Sequence, residues 1–253
     1  MLFVFWTSDI PRKTMDLDLL GVGNLTENQI RRSFVNIGCL KCEADGLHFD
    51  MKSMALEPIR NEADFQGIRA NFSGHLGNIR IPLQVDIGIG DRIWPAPETI
   101  IFPTLLGLPA PRVRAYRKET SIAEKFDAML KLGAVNSRMK DFYDIRVLAS
   151  RFSFKGAILK KTLETVATQT PRISLSMPPI ALTNEFGRDR NKNIQWEAFL
   201  RRIGKNPSDL SFPQTIASIR SFLLPVLEAI VKKTAFDKIW PPGGPWRPRE
   251  KKR

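Results

Sequence analysis

Cysteine is almost absent from this 253-residue chain: Cys39 and Cys42, in Cys-Leu-Lys-Cys, are the only two. A single C-x-x-C without a second ligand pair argues against a structural zinc site, and it lacks the strand context of a thioredoxin-like motif. Both therefore read as free thiols. Long apolar runs are missing too, since no stretch approaches the roughly 20 apolar residues that a membrane-spanning helix needs. The opening Met1-Leu2-Phe3-Val4-Phe5-Trp6 is too short for a signal peptide and has neither a basic n-region nor a small-residue cleavage site. These absences predict a cytoplasmic chain with no membrane partner. No internal repeat is visible.

Acidic residues are also in short supply. Twenty-six Asp and Glu face 39 Lys and Arg, for a net charge of +13. A surplus of that size points to a polyanionic partner, nucleic acid ahead of a membrane surface, because clustered cations release counterions when they meet phosphates. The alternative is a basic but unspecialised surface. The 43% hydrophobic content excludes a disordered chain and is enough for one large or two modest domains with a real core.

Periodicity divides the chain in two. Met15-Asp16-Leu17-Asp18-Leu19-Leu20 alternates as a strand, with Leu17 and Leu19 on one face and Asp16 and Asp18 on the other. Thr26, with Gln29 three residues on, predicts a capped helix to about Asn36 whose Ile30 and Phe34 face inward. Strand-like alternation continues at 48–54, 67–72 and 78–86, giving a four- or five-stranded mixed sheet. A proline-rich connector at 94–111 follows, and beyond it helices are predicted near 121–132, 138–152, 157–168, 194–203 and 212–232. The predicted organisation is a sheet domain at 1–111, a helical domain at 112–240 and a basic disordered tail at 241–253, an α+β fold overall.

The chemistry-bearing residues sit on this frame. Asp16 and Asp18 have Cα atoms about 6.6–6.8 Å apart on one strand face, so both carboxylates can converge on hard cations. Asp86 ends a later strand on the face opposite its apolar row, and if that strand lies beside the first it completes a triad around a metal pair suited to phosphoryl transfer. Against this, D-x-D is common by chance and Asp86 can simply begin a turn. Lys125 flanks the stripe Ile122, Phe126, Met129, where its stem can lie on the core while its ammonium reaches a phosphate; a solvated helix lysine is the plainer reading. Asp141 and Asp144 lie one helical turn apart on the side of Ile145 and Leu148, so at least one needs a buried partner, with Lys125, Arg138 and Lys140 as candidates. Asp141 also suits a plain helix N-terminal charge.

Four blocks in order, Arg12-Lys13-Thr14-Met15-Asp16-Leu17-Asp18-Leu19-Leu20-Gly21, Val85-Asp86-Ile87-Gly88-Ile89-Gly90-Asp91, Glu119-Thr120-Ser121-Ile122-Ala123-Glu124-Lys125-Phe126-Asp127-Ala128 and Asn136-Ser137-Arg138-Met139-Lys140-Asp141-Phe142-Tyr143-Asp144, resemble the AbiEii/AbiGii nucleotidyltransferase toxins. The resemblance implies a polymerase-β-like nucleotidyltransferase core with a helical C-terminal domain. It also implies magnesium or manganese, a nucleoside triphosphate substrate, an RNA acceptor such as tRNA, and an antitoxin partner in a toxin-antitoxin or phage-defence system. By match, Asp16, Asp18 and Asp86 would be metal ligands, Thr14 and Lys125 would contact the nucleotide, and Lys125 and Asp141 would serve as catalytic residues. The family's glycine block, which grips the triphosphate, lies upstream of a segment like Met1 to Trp6. The expectation is therefore an N-terminally truncated domain or a late start, with a catalytically inactive nucleotide- or RNA-binding member of the same fold as the alternative.

Overall fold

The structure is a computed structural model that describes residues 2–7, 16–23, 25–40, 46–60, 66–89, 93–104, 107–167 and 178–249. The fold is α+β: a mixed four-stranded sheet with one covering helix, and a helical region bearing two small sheets. Two compact units form, one built on Lys13–Asp91 and the other on Leu2–Arg12 with Arg92–Arg253.

In the sheet unit the elements run β1 (Asp16–Gly21), α2 (Glu27–Gly38), β2 (Leu47–Arg60), β3 (Gln66–Leu76) and β4 (Ile79–Ile89), with the order β1-β4-β3-β2 across the sheet. β2, β3 and β4 form an antiparallel meander, and β1 adds to its β4 edge in parallel. Leu76 pairs with Ile79 across a two-residue turn in which Gly77 takes φ 56°, a left-handed backbone that glycine adopts without a Cβ clash. The strands run longer than the alternation predicts, because the ladder continues past the residues that have a core to face. Ile79 at the start of β4 is 63% exposed, whereas Val85 and Ile87 at its end are buried.

α2 covers one face. Ile30 is buried against Ala70, Val85 and Ile87, and Leu17, Leu25, Phe34, Leu56, Ile68 and Phe72 pack around them. Phe34 meets Phe72 edge-on at 5.9 Å, a geometry that suits the ring quadrupoles. The helix begins with the predicted capping box: Thr26 Oγ1 accepts from the Gln29 backbone N–H at 3.3 Å, and the Gln29 side chain accepts from the Thr26 N–H at 2.8 Å. Thr26→Ala is expected to cost about 1 kcal/mol of stability, read as a fall in the urea midpoint with an unchanged slope.

The other unit opens with α1 (Leu2–Thr7), whose Phe3 packs on Tyr143 and whose Phe5 stacks on Phe102. The proline-rich connector is not bare loop: β5 (Glu98–Ile101) and β6 (Arg112–Ala115) pair as an antiparallel ribbon. The helices are α3 (Lys118–Leu132), α4 (Met139–Arg151), α5 (Gly156–Ala167), α6 (Asn184–Arg188), α7 (Arg190–Arg202) and α8 (Phe212–Val231). α8 is central, with Phe212, Ile216, Ile219, Phe222, Leu223, Val226 and Leu227 at 0–1% exposure. By length and mean hydropathy α8 also matches a membrane-spanning segment, contrary to the expectation that no stretch of the chain would; here its apolar side is the core of the helical unit.

Residues 241–249, the described part of the expected disordered tail, are ordered. The strands β7 (Phe154–Lys155), β8 (Lys238–Trp240) and β9 (Arg247–Pro248) form a small antiparallel sheet. Trp240 Nε1 donates to the Ala149 carbonyl at 2.7 Å, and Trp246 Nε1 donates to the Phe222 carbonyl at 2.8 Å. Trp246 stacks on Phe222 at 5.7 Å and meets Trp240 and Phe236 edge-on. Large aromatic area with a satisfied indole N–H outweighs the proline and glycine content that suggested disorder. Cys39 is a free, exposed thiol; Cys42 lies outside the described residues.

Candidate functional site

The face of the sheet away from α2 is polar. Register sets Asp16 beside Gln84 and Asp18 beside Asp86 on the parallel strands β1 and β4, and Asp86 beside Arg69 on β3. The apolar row Leu17, Val85, Ile87 and Ile68 packs with α2, and period-two alternation therefore places Asp18, Asp86 and Arg69 in one row on the opposite face. The expected adjacency of the first strand and the Asp86 strand is thus present.

Asp86 is not a free carboxylate. Arg69 Nε donates to its Oδ1 at 2.8 Å and an Arg69 terminal nitrogen donates to its Oδ2 at 2.7 Å, a bidentate fork. Such forks are the strongest and most directional ion pairs in proteins. Asp18 is exposed. Among the described residues no group of three or more His, Cys, Asp or Glu is arranged to hold a metal ion. Of Asp16 only the backbone is described, and Thr14 lies outside the described residues. The donor chemistry suits magnesium at Asp18, a hard oxygen at an open strand position; Asp86, whose oxygens each keep a lone pair beyond the bond from Arg69, would join it with Arg69 still in place. Arg69→Met is expected to cost about 1 kcal/mol, nearer the exposed than the buried range, because the side chains of Arg69 and Asp86 are 38% and 21% exposed. Chemical denaturation measures it.

The helical unit holds the second constellation. Lys125 on α3 donates to Asp141 Oδ1 at 3.0 Å and to Asp144 Oδ2 at 2.8 Å, both on α4. Arg138 Nε donates to the other oxygen of Asp141 at 2.7 Å. Asp141 and Asp144 are fully buried. Of the three candidate partners for Asp141, Lys125 and Arg138 engage it. Burial works against the Lys125 charge, but the charges of Asp144 and Asp141 and their hydrogen bonds outweigh it, so its pKa lies above the ordinary lysine value. With Lys125 and Arg138 on its two oxygens, Asp141 orients two cations and presents no oxygen to solvent.

The turn leading into α4 is braced by residues the sequence did not single out. Asn136 is fully buried; its Oδ1 accepts from the Arg138 backbone N–H at 2.8 Å and its carbonyl accepts from the buried Lys192 ammonium on α7 at 2.7 Å. The Asn two residues ahead of Arg138 was a legible Asx-turn signal. Lys192 carried none, since a helix lysine ordinarily points to water. Asp144 was placed on the correct side of α4, but its sharing of Lys125 depends on the packing of α3 against α4.

The model of a family described as "Nucleotidyl transferase AbiEii toxin, Type IV TA system" matches residues 1–231. Among solved structures, one described as a candidate nucleotidyltransferase from H. pylori is similar at 11% identity, covering 93% of this chain and 88% of that one, with a TM-score of 0.48. A second, JHP933 from Helicobacter pylori, is similar at 11% identity over 92% of this chain and 84% of that one, with a TM-score of 0.47. No curated protein matches.

Proposed function

We propose, from the premise that this chain belongs to the AbiEii nucleotidyl transferase toxin family of type IV toxin-antitoxin systems, that it transfers a nucleotide from a nucleoside triphosphate to an RNA acceptor, tRNA first among them. The observation that carries this reading is the row Asp18, Asp86, Arg69 on the open face of the sheet, lying within the span the family matches. In the reaction an acceptor hydroxyl oxygen bonds to the α-phosphorus, the bond to the β-phosphate oxygen breaks, pyrophosphate leaves, and the hydroxyl proton passes to solvent or a carboxylate.

The sheet unit would contribute Asp18, with Asp16 at the neighbouring same-face position, as hard oxygen donors for magnesium or manganese. Such an ion, when bound, neutralises phosphate oxygens and favours the departure of pyrophosphate. Arg69 fixes the orientation of Asp86 and adds positive charge to a row that otherwise carries only carboxylates. Lys125, held in place by Asp141 and Asp144, is the proposed phosphate-facing cation, and Thr14 a proposed further nucleotide contact. An antitoxin partner and a cytoplasmic setting belong to the same proposed reading. Incubation with magnesium, each labelled nucleoside triphosphate in turn and total RNA should label an RNA band; label on neither RNA nor protein would overturn the reading.

One observation favours a second reading, an inactive member of the family that binds nucleotide or RNA. Both oxygens of Asp86 are held by Arg69, and among the described residues no group of three or more His, Cys, Asp or Glu is arranged to hold a metal ion. That reading predicts salt-sensitive RNA binding with no transfer at any metal concentration.

A further inference from the structure

The side of α4 turned away from Asp141 and Asp144 lines a cleft of about 260 Å³. At 3.6 residues per turn, Tyr143, Arg146 and Ser150 project opposite to Asp141, Asp144 and Leu148, so a helix width of about 10–12 Å separates the cleft from the Lys125 cluster. Arg151, Lys205 and Asp209 complete its polar lining. The cleft has room for far more than a water molecule, which needs about 10–15 Å³ by the same measure.

Its charge is unbalanced. Leaving aside Arg151, two cationic side chains, Arg146 and Lys205, share the described lining with a single carboxylate, Asp209. Arg151 is engaged elsewhere, donating to the Thr7 carbonyl at 2.9 Å, and Lys205 is exposed. Arg146 is the exceptional group: it is half-buried, its Nε is shielded from solvent without any acceptor, and no carboxylate among the described residues pairs with it. A partly desolvated guanidinium without a protein partner is unfavourable unless an anion completes it. A planar guanidinium fork beside a mobile lysine ammonium is the combination that recognises phosphate.

We infer that this cleft is a phosphate-binding site, distinct from the Lys125 cluster, in which Arg146 and Lys205 hold a phosphate group, and that RNA strands are its principal source. The Arg146 pKa agrees with that geometry: burial lowers it, with only Tyr143 acting in the opposite direction. Asp209 at the rim discourages a second anion and can accept from a ribose hydroxyl or a base amino group, which suits a nucleotide unit better than a sulfate-like ion. The inference does not depend on transfer, because binding requires neither metal nor triphosphate.

Fluorescence anisotropy with a labelled single-stranded RNA oligonucleotide, without triphosphate, tests it in the wild type, Arg146→Gln and Lys205→Gln. Each substitution is expected to weaken binding about tenfold at low salt and to reduce the slope of log affinity against log salt by about 0.7. Lys205 is exposed, so its variant folds even if Arg146→Gln does not. Thermal shifts with inorganic phosphate and pyrophosphate separate the sources: lost protection in the variants with unchanged RNA affinity assigns the site to free phosphate. Unchanged RNA affinity, unchanged salt slope and no phosphate protection of the wild type would overturn the proposal.

Discussion

Replacing Lys125 with methionine is expected to destabilise the helical unit by about 3–5 kcal/mol, the range found when one partner of a buried ion pair is removed. The size follows from the geometry. One ammonium serves Asp141 and Asp144, each fully buried, and without it Asp144 loses a 2.8 Å contact while Asp141 keeps only Arg138. Methionine retains most of the stem's packing, so the loss reports charge and hydrogen bonding more than volume. Urea denaturation followed by tryptophan fluorescence measures it, and a loss below about 0.5 kcal/mol, the range of ordinary surface changes, would contradict the account. Adding Asp144→Asn to Lys125→Met should recover part of the loss, because the two changes act on one contact.

The same cluster sets a pH dependence. The Lys125 pKa is raised in the folded chain, so the folded state holds this proton more tightly than the unfolded state does. The contribution is therefore complete below the unfolded lysine value of about 10.4 and disappears as pH climbs through the higher folded value. Stability should fall in that alkaline window more steeply in the wild type than in Lys125→Met.

Asp18→Ala is expected to reduce nucleotide transfer by about a hundredfold to a thousandfold, the usual cost of removing one preorganised group that acts on developing charge. Stability should stay within about 0.5 kcal/mol of the wild type, because Asp18 is exposed. The two readouts together make the result diagnostic: transfer lost with folding and RNA binding intact assigns Asp18 to the chemistry. Equal transfer by the variant and the wild type would remove Asp18 from the reaction. No transfer by either, with RNA bound equally by both, would favour the inactive family member.

Much of this was legible from alternation and capping. Leu17, Val85 and Ile87 declare which face of the sheet is buried, and once that is known Asp18 and Asp86 must lie on the other. The Thr26 and Gln29 spacing fixes the start of α2 because two backbone donors there need side-chain acceptors. The hold of Arg69 on Asp86 was not legible: Arg69 belongs to the polar side of its strand by parity, but that β3 and not β2 neighbours β4 is a matter of sheet order. The Trp246 segment misled for a different reason. Local composition reports backbone preference, whereas that segment is ordered by rings arriving from Phe222, Phe236 and Trp240. The Lys125 pairing with Asp141 was legible as a candidate, whereas its sharing with Asp144 was not, since that depends on how α3 packs on α4.

The lone parallel strand carries one more consequence, for the order in which the sheet unit assembles. β2, β3 and β4 can zip from their own turns, but β1 reaches β4 only after the whole stretch of α2, β2 and β3 has been folded back. Closing so long a loop is entropically costly and slow. The meander should therefore acquire protection from hydrogen exchange first and β1 last, so that Asp86 and Arg69 are already clasped when Asp18 arrives. β1 also forms one outer border of the sheet, leaving it the strand most readily released. In this unit the row of acidic groups is thus the last thing made and the first undone.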